Sequence, residues 1–163
     1  MQINFQYQKP AVINALRFHF LNRGEIRVFS YVLIILFVFA VGGYWIDIVS
    51  FQAVVAIVLM IVLLLLVFWY LLPASIYKKA ATFRESIRLQ YNEEGMVIGT
   101  HVGERHINWT NFNNVVETQD FFYLYRDKKS FFLIPTNAFQ DDADKLTFSH
   151  MLQQKFDHYV LKR

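Results

Sequence analysis

Two long apolar runs dominate the hydropathy pattern of the chain. Residues 28–46 and residues 51–72 contain no charged side chain. A helix needs roughly 20 apolar residues to cross a hydrocarbon core of about 30 Å, and both runs have this length. Soluble helices of similar length carry a polar stripe, which neither run has. The pattern therefore predicts two transmembrane helices, at about 28–46 and 51–72.

The ends of both runs carry the aromatic residues that favour membrane interfaces. Tyr44 and Trp45 close the first run, and Trp69 and Tyr70 close the second. Pro73 follows at once and is predicted to end or kink the second helix. Because only a few residues connect the runs, the two helices are predicted to form an antiparallel hairpin within residues 28–72.

Basic residues flank the hairpin on its outer sides, whereas its connection has none. Under the positive-inside rule this asymmetry puts both termini in the cytoplasm. No ionisable residue lies inside either run, which favours an anchor over a transporter. The predicted basic residues at the membrane interface are Arg17, Arg23, Arg27, Lys78, Lys79 and Arg84.

The N-terminal segment, residues 1–27, is predicted to contain a strand and a helix. Apolar residues alternate with polar ones from Ile3 to Tyr7, as in a half-buried strand. Apolar positions then repeat every four residues from Val12 to Phe20, as on one face of a helix. Two hypotheses remain open for this face: contact with lipid headgroups, or contact with the C-terminal domain.

Short alternating runs begin at about residue 80 and predict roughly six strands, separated by turns such as the one at Gly95. After Pro135 the rest of the chain is predicted to form one helix. Its apolar stripe would cover the sheet and consists of Phe148, Met151, Leu152, Phe156 and Tyr159. The predicted fold class is an α+β membrane protein: a two-helix transmembrane hairpin plus a small β-rich, pleckstrin-homology-like domain at residues 80–163, capped by a C-terminal helix.

Several stretches resemble the YcxB-like protein family. They are Phe5-Gln6-Tyr7, Ala15-Leu16-Arg17-Phe18-His19-Phe20-Leu21, Tyr91-Asn92-Glu93-Glu94-Gly95, Ile107-Asn108-Trp109, Tyr123-Leu124-Tyr125, Ile134-Pro135 and Ala138-Phe139. This is a bacterial family with two N-terminal membrane helices and a small C-terminal domain. The resemblance implies a multi-pass protein of the bacterial inner membrane, and it implies no active site.

Candidate chemistry is sparse. The absence of cysteine excludes disulfides, thiolate metal sites and cysteine nucleophiles. His101 and His106 are predicted to be neighbours on one face of a hairpin, yet only Glu104 stands near them as a third ligand. No catalytic signature is present. We therefore predict no metal, no cofactor and no enzymatic activity; a small membrane enzyme using the two histidines is the minor alternative.

Four residues are weak candidates for binding a partner or lipid: Trp109, Arg126, Lys128 and Lys129. For Trp109 the alternation of its strand favours a core position. The three basic residues form a predicted hairpin tip that suits lipid headgroups or an acidic partner, but a solvated turn is the favoured interpretation because three charges are few.

The functional hypothesis is a regulatory module, held at the membrane, that binds a protein or a lipid. An accessory subunit of a transport or export complex is the alternative, with Gly42 and Gly43 allowing close approach of another helix. The expected partners are membrane lipids and a protein, another copy of the chain included, and no nucleic acid, because a broad basic surface is missing.

Overall fold

The computed structural model describes residues 1–128 and 130–162. The described chain is α+β, with two long apolar helices and two four-stranded sheets, which confirms the predicted fold class at this level. It divides into two compact units. The first unit combines residues 1–11 with residues 82–163, and the second contains residues 12–81.

The five helices have the following bounds: α1 Lys9–Leu21, α2 Gly24–Trp45, α3 Phe51–Leu66, α4 Leu72–Lys79 and α5 Asp142–Lys155. The eight strands are β1 Gln2–Gln6, β2 Ser86–Tyr91, β3 Gly95–Thr100, β4 Gly103–Asn108, β5 Asn114–Glu117, β6 Phe121–Tyr125, β7 Phe131–Pro135 and β8 Tyr159–Leu161.

The first sheet is an antiparallel meander in the order β1-β2-β3-β4. Its first strand comes from the N-terminus, where Ile3 and Phe5 alternate with exposed residues as predicted. Gln6 pairs with Ser86, so the whole of residues 12–81 is inserted between two neighbouring strands of one sheet. The sequence grouped β1 with the juxtamembrane segment; in the structure it is the edge strand of the first unit.

The second sheet has the order β7-β6-β5-β8, with β8 parallel to β5. The prediction of one helix through to the C-terminus was wrong here, because α5 ends at Lys155 and the chain then forms β8. Two backbone bonds anchor this strand: Val115 N donates to His158 O, and Lys162 N donates to Glu117 O. Tyr159 therefore belongs to a strand, as its aromatic and β-branched neighbourhood also favours.

The core of the first unit is aromatic and centres on Phe148 of α5, which is fully buried. The ring of Tyr91 lies 4.7 Å from it, and the rings of Phe122 and Phe139 each lie 5.2 Å away. α5 therefore packs on both sheets through the apolar stripe predicted for it, up to Phe156. The contacts of Tyr91 and Phe122 with Phe148 are edge-to-face, and such contacts add about 0.5–1.5 kcal/mol each beyond the area they bury.

In the second unit, α2 and α3 are neighbours, and the rings of Phe29 and Phe68 lie 5.0 Å apart. Pro73 was predicted to end or kink the helix, but helical backbone continues through it to Lys79. A π-helical turn at Val67–Leu71 precedes the proline. Because proline has no N–H, it leaves the carbonyl four residues earlier, that of Trp69, without its usual donor. The Nε of Arg17 donates to that carbonyl at 3.1 Å, which compensates for the loss.

Candidate functional site

A groove of about 680 Å³ opens in the first unit beside strands β4 and β7. We call it the β4–β7 groove, and its volume lies within the range of small-ligand sites. Apolar side chains from both sheets line it, among them Ile98, Ile107, Phe112 and Phe132. Ile98 and Phe112 are buried and also belong to the core. The groove is thus an opening into the apolar interior with a polar rim.

Arg105 lines this groove from a position that the sheet normally reserves for apolar residues. It pairs directly with the buried Ile98, so the two side chains leave the same face of the sheet. Arg105 is exposed, whereas its neighbour on that face, Ile107, is half-buried. A charged side chain on a core-facing register position needs either solvent or an anionic partner.

Arg126 reaches the same groove from the second sheet. It follows β6 two residues after the buried Leu124, in the hairpin closed by the bond from Arg126 N to Ser130 O at 3.0 Å. Within the part of the chain that the structure describes, neither the Arg105 nor the Arg126 guanidinium has an ion-pair partner. Two guanidinium groups are therefore available to an acidic ligand at one opening.

The rest of the predicted hairpin tip is a solvent-exposed turn. Asp127 accepts the backbone N–H of Ser130 at 2.8 Å and also its hydroxyl, which fixes the turn. Lys128 is exposed and does not line the groove. Lys129 lies outside the described residues.

Trp109 is buried in the core, with 5% of its surface exposed. It begins a short 3-10 turn after β4 rather than extending the strand, and its Nε1 donates to Asn92 O at 2.9 Å. Its ring lies 6.4 Å from both Phe148 and Phe156. This placement matches the core interpretation of the residue, which also lines a surface depression between Glu93 and His158.

The two hairpin histidines are not neighbours, contrary to prediction. His106 lies opposite Val97, whereas His101 lies in the turn beyond the Thr100–Gly103 pair. Instead, His101 Nδ1 lies 3.3 Å from Glu85 Oε2. Among the described residues no group of three metal-ligating side chains occurs.

A buried polar cluster joins β5, α5 and β8, and sequence reasoning missed it. Glu117 Oε2 accepts the Ser149 hydroxyl at 2.8 Å and the Tyr159 hydroxyl, and Gln153 Nε2 donates to Ser149 Oγ at 3.2 Å. Burial and the bond to Glu117 raise the pKa of Tyr159. The available signal was Glu117 itself, which lies two residues after the buried Val115 on the same strand face. The cluster fastens the last strand to the sheet and to α5.

The predicted interface residues differ in their contacts. The guanidinium of Arg17 lies 5.0 Å from the Trp69 ring centre and 5.6 Å from that of Tyr70, a cation–π arrangement. Arg23 forms an ion pair with Glu25 at 3.2 Å. The remaining four predicted interface residues are exposed: Arg27, Lys78, Lys79 and Arg84.

His19 of α1 is the one buried histidine among the described residues. Desolvation lowers its pKa to about 4, with the nearby positive charge of Arg23 acting in the same direction. Burial alone raises the pKa of Tyr7, whose hydroxyl donates to Leu133 O. Both groups therefore favour their uncharged forms in the folded chain.

Most of the β4–β7 groove and the core behind it fall in one segment of the sequence. Residues 91–152 match the family model of the YcxB-like proteins. This match confirms the resemblance predicted from the sequence. The YcxB-like segment runs from the end of β2 into α5, so it contains Arg105, Arg126 and the aromatic core but not the two apolar helices. Comparison with curated proteins and with solved structures gave no match.

Proposed function

We propose that this chain is a multi-pass protein of the bacterial inner membrane, with both termini in the cytoplasm. Its pleckstrin-homology-like domain would be a non-catalytic regulatory module that binds a protein or a lipid. The observation that carries the binding role is the β4–β7 groove, where Arg105 and Arg126 line an apolar opening. Recognition sites commonly combine such an apolar floor with a few convergent polar groups.

Exposure of the apolar helices supports the membrane part of the proposal. An 18-residue window within Gly24–Trp45 has a mean hydropathy of 2.3 with 11% of its residues buried, and such a window within Phe51–Lys79 has 3.2 with none buried. A helix this apolar is stable when exposed only if its solvent is also apolar.

Sheet pairing supports the shared location of the two chain ends. Gln6 and Ser86 are direct partners in one sheet, and the helical unit lies between them in sequence. A folded sheet cannot be divided by a bilayer, so the chain must return to the side from which it left. The excess of basic residues outside the hairpin supports the cytoplasm as that side.

The order of elements supports the pleckstrin-homology-like interpretation. A four-stranded antiparallel meander is followed by a second sheet built from β5, β6 and β7, and then by a helix that packs on both sheets. β8 is an addition to that scheme.

Topology can be tested directly because the chain contains no cysteine. Single-cysteine variants Ile48→Cys, in the connection between α2 and α3, and Gln154→Cys, on the exposed side of α5, would be treated with a membrane-impermeant maleimide. The expected result is labelling of Ile48→Cys in intact spheroplasts and of Gln154→Cys only after lysis. The proposed topology is contradicted if both variants are labelled in intact spheroplasts. It is also contradicted if neither variant is labelled either before or after lysis.

The binding role is tested by photo-crosslinking in native membranes. A photoreactive amino acid would replace Val102, which lines the groove and is 79% exposed, or Gln154 as the matched control. We expect a protein or lipid adduct from position 102 that position 154 does not give. Identical adducts at both positions, or none at either, would refute the module.

An accessory role in a transport or export complex remains the second candidate, because Gly42 has open space where a side chain would be. Gly43 is different: a Cβ there would lie 2.6 Å from Val49 Cγ2 of the same hairpin. Gly42→Leu is therefore the variant to test, because it blocks close approach of another helix without a clash inside the hairpin. Loss of a co-purifying complex in that variant supports this candidate, and an unchanged complex opposes it.

A further inference from the structure

Strand β4 has an open hydrogen-bonding edge. It pairs with β3 on one side only, and it is the last strand of its sheet. Thr100 and Gly103 flank a two-residue turn, and beyond the other end of the strand Trp109 N donates to Glu94 O. Hydrogen-bonded and non-hydrogen-bonded pairs alternate between these points. The residues whose backbone groups point away from β3 are therefore Glu104, His106 and Asn108.

The corresponding edge of the second sheet is less available. β7 is also an edge strand, but the carbonyl of its central residue Leu133 accepts the Tyr7 hydroxyl at 2.5 Å. In the part of the chain described, no side chain donates to or accepts from the backbone of Glu104–Asn108 in this way, and no backbone bond reaches its open edge. Of the two strands beside the groove, β4 is thus the one that can accept a further strand.

Charge disfavours two of the registers in which β4 could pair with a second copy of itself, and the residues of β4 on the face of Arg105, Gly103 and Ile107, include no acidic one. Consider two copies of β4 paired antiparallel, with the core-facing side chains of both copies on the same face of the combined sheet. In such a symmetric pair the central residue lies opposite the same residue of the other copy. Centring the pair on Glu104 or Arg105 places two like charges directly opposite, which is destabilising. An acidic residue of an added strand, placed opposite Arg105, would replace this like-charge repulsion with attraction. It would also lie on the groove side of the sheet, where Arg126 supplies a second positive charge.

We propose that β4 accepts an extended segment of a partner protein as an added strand, with an acidic side chain of that segment opposite Arg105 and beside Arg126. Backbone bonds to Glu104 and His106 would supply the register, and the two arginines would supply the charge specificity. This inference deepens the proposed binding role and rests on it. Glu85 and Glu104 also line the groove, but the Glu85 carboxylate lies beside His101, and Glu104 lies on the other face of β4 from Arg105.

The test uses the full chain in nanodiscs of zwitterionic phosphatidylcholine and measures fluorescence anisotropy. The probe is a labelled eight-residue peptide that alternates valine and glutamate, and the matched peptide alternates valine and lysine. We expect only the glutamate peptide to bind. Arg105→Gln and Arg126→Gln should each weaken its binding about tenfold, as expected for loss of a hydrogen bond to a charged group. Arg88→Gln, on the solvent face of β2, should leave binding unchanged.

Strand addition has its own readout. His106→Pro removes an outward N–H from an edge strand without removing a bond to β3, and circular dichroism would verify the fold. This variant, and a glutamate peptide with alternate backbone nitrogens methylated, should each weaken binding about fivefold.

Three results would overturn the proposal. The first is absent binding of the glutamate peptide, or equal binding of the lysine peptide. The second is tolerance of both His106→Pro and backbone methylation, which would indicate an anion site without strand addition. The third is competition by phosphatidylglycerol vesicles that depends on both arginines, which would assign the groove to lipid. Crosslinking from position 102 would survive any of these results, so failure of the strand is distinguishable from failure of the module.

Discussion

The cluster around Glu117 yields a prediction about how the second sheet is closed. Glu117 is 9% exposed, and its carboxylate accepts the hydroxyls of Ser149 and Tyr159. Removing one donor, as in Tyr159→Phe or Ser149→Ala, leaves the other in place. Each variant should therefore destabilise β8 against local opening by about 1–1.5 kcal/mol, the low end for a hydrogen bond to a charged group.

The double variant should behave differently from the sum of the single ones. Without either hydroxyl, the buried carboxylate would lose both side-chain donors, and a buried charge without a partner costs about 3–5 kcal/mol. The coupling energy between the two substitutions should thus be about 1 kcal/mol or more, in the range observed for residues of one network.

Hydrogen–deuterium exchange of the full chain in detergent measures this local opening. Amide exchange in peptides covering Tyr159–Leu161 should rise about tenfold for each 1.4 kcal/mol lost. Thr147→Ala is the control, because its exposed hydroxyl bonds only within α5, to Ala143 O at 2.9 Å. The assignment of this cluster as the set of contacts that holds β8 would be refuted by either of two results. One is strict additivity of the two single-variant losses of opening free energy in the double variant. The other is a rise in exchange no larger than that of Thr147→Ala.

Three further predictions concern pH and packing. The folded chain holds His19 neutral, with a pKa of about 4. The stability that this pKa shift contributes is therefore complete above pH 6.5 and is lost as the pH falls toward 4. In His19→Gln the thermal unfolding midpoint should fall less between pH 6.5 and pH 4 than in the unaltered chain. The raised pKa of Tyr7 affects stability at the alkaline end, so the free energy of unfolding should fall as the pH rises above 10. Tyr7→Phe should reduce this alkaline loss, although it lowers stability at neutral pH. Gly95→Ala should destabilise the fold by about 1–3 kcal/mol in thermal unfolding, since its Cβ would lie 2.4 Å from a backbone oxygen of β4, whereas Gly24→Ala, with open space around it, should not.

Several elements were predictable from local sequence because their signals are periodic. The alternation at Ile3, Phe5 and Tyr7 identified β1, and the stripe from Phe148 to Phe156 identified α5. Each signal depends on which face of one element is buried, and that property repeats along a short stretch of chain.

The candidate site was less predictable, because it depends on pairing. Arg126 was identified from a cluster of charges at a hairpin tip, but Arg105 was not, since its significance comes from lying opposite Ile98. The same dependence on register separated His101 from His106. A strand's sequence shows which residues share its face but not which residues of another strand lie opposite.

By itself, the sequence determined the two apolar helices, their polar flanks and most of the strands, because hydrophobicity and its period are properties of contiguous residues. Only the tertiary structure decided that β1 joins β2 across the helical insertion, that the last residues form β8, and that Arg105 and Arg126 line one groove. These features join residues far apart in the chain, and their stability comes from pairing and packing that no single segment contains.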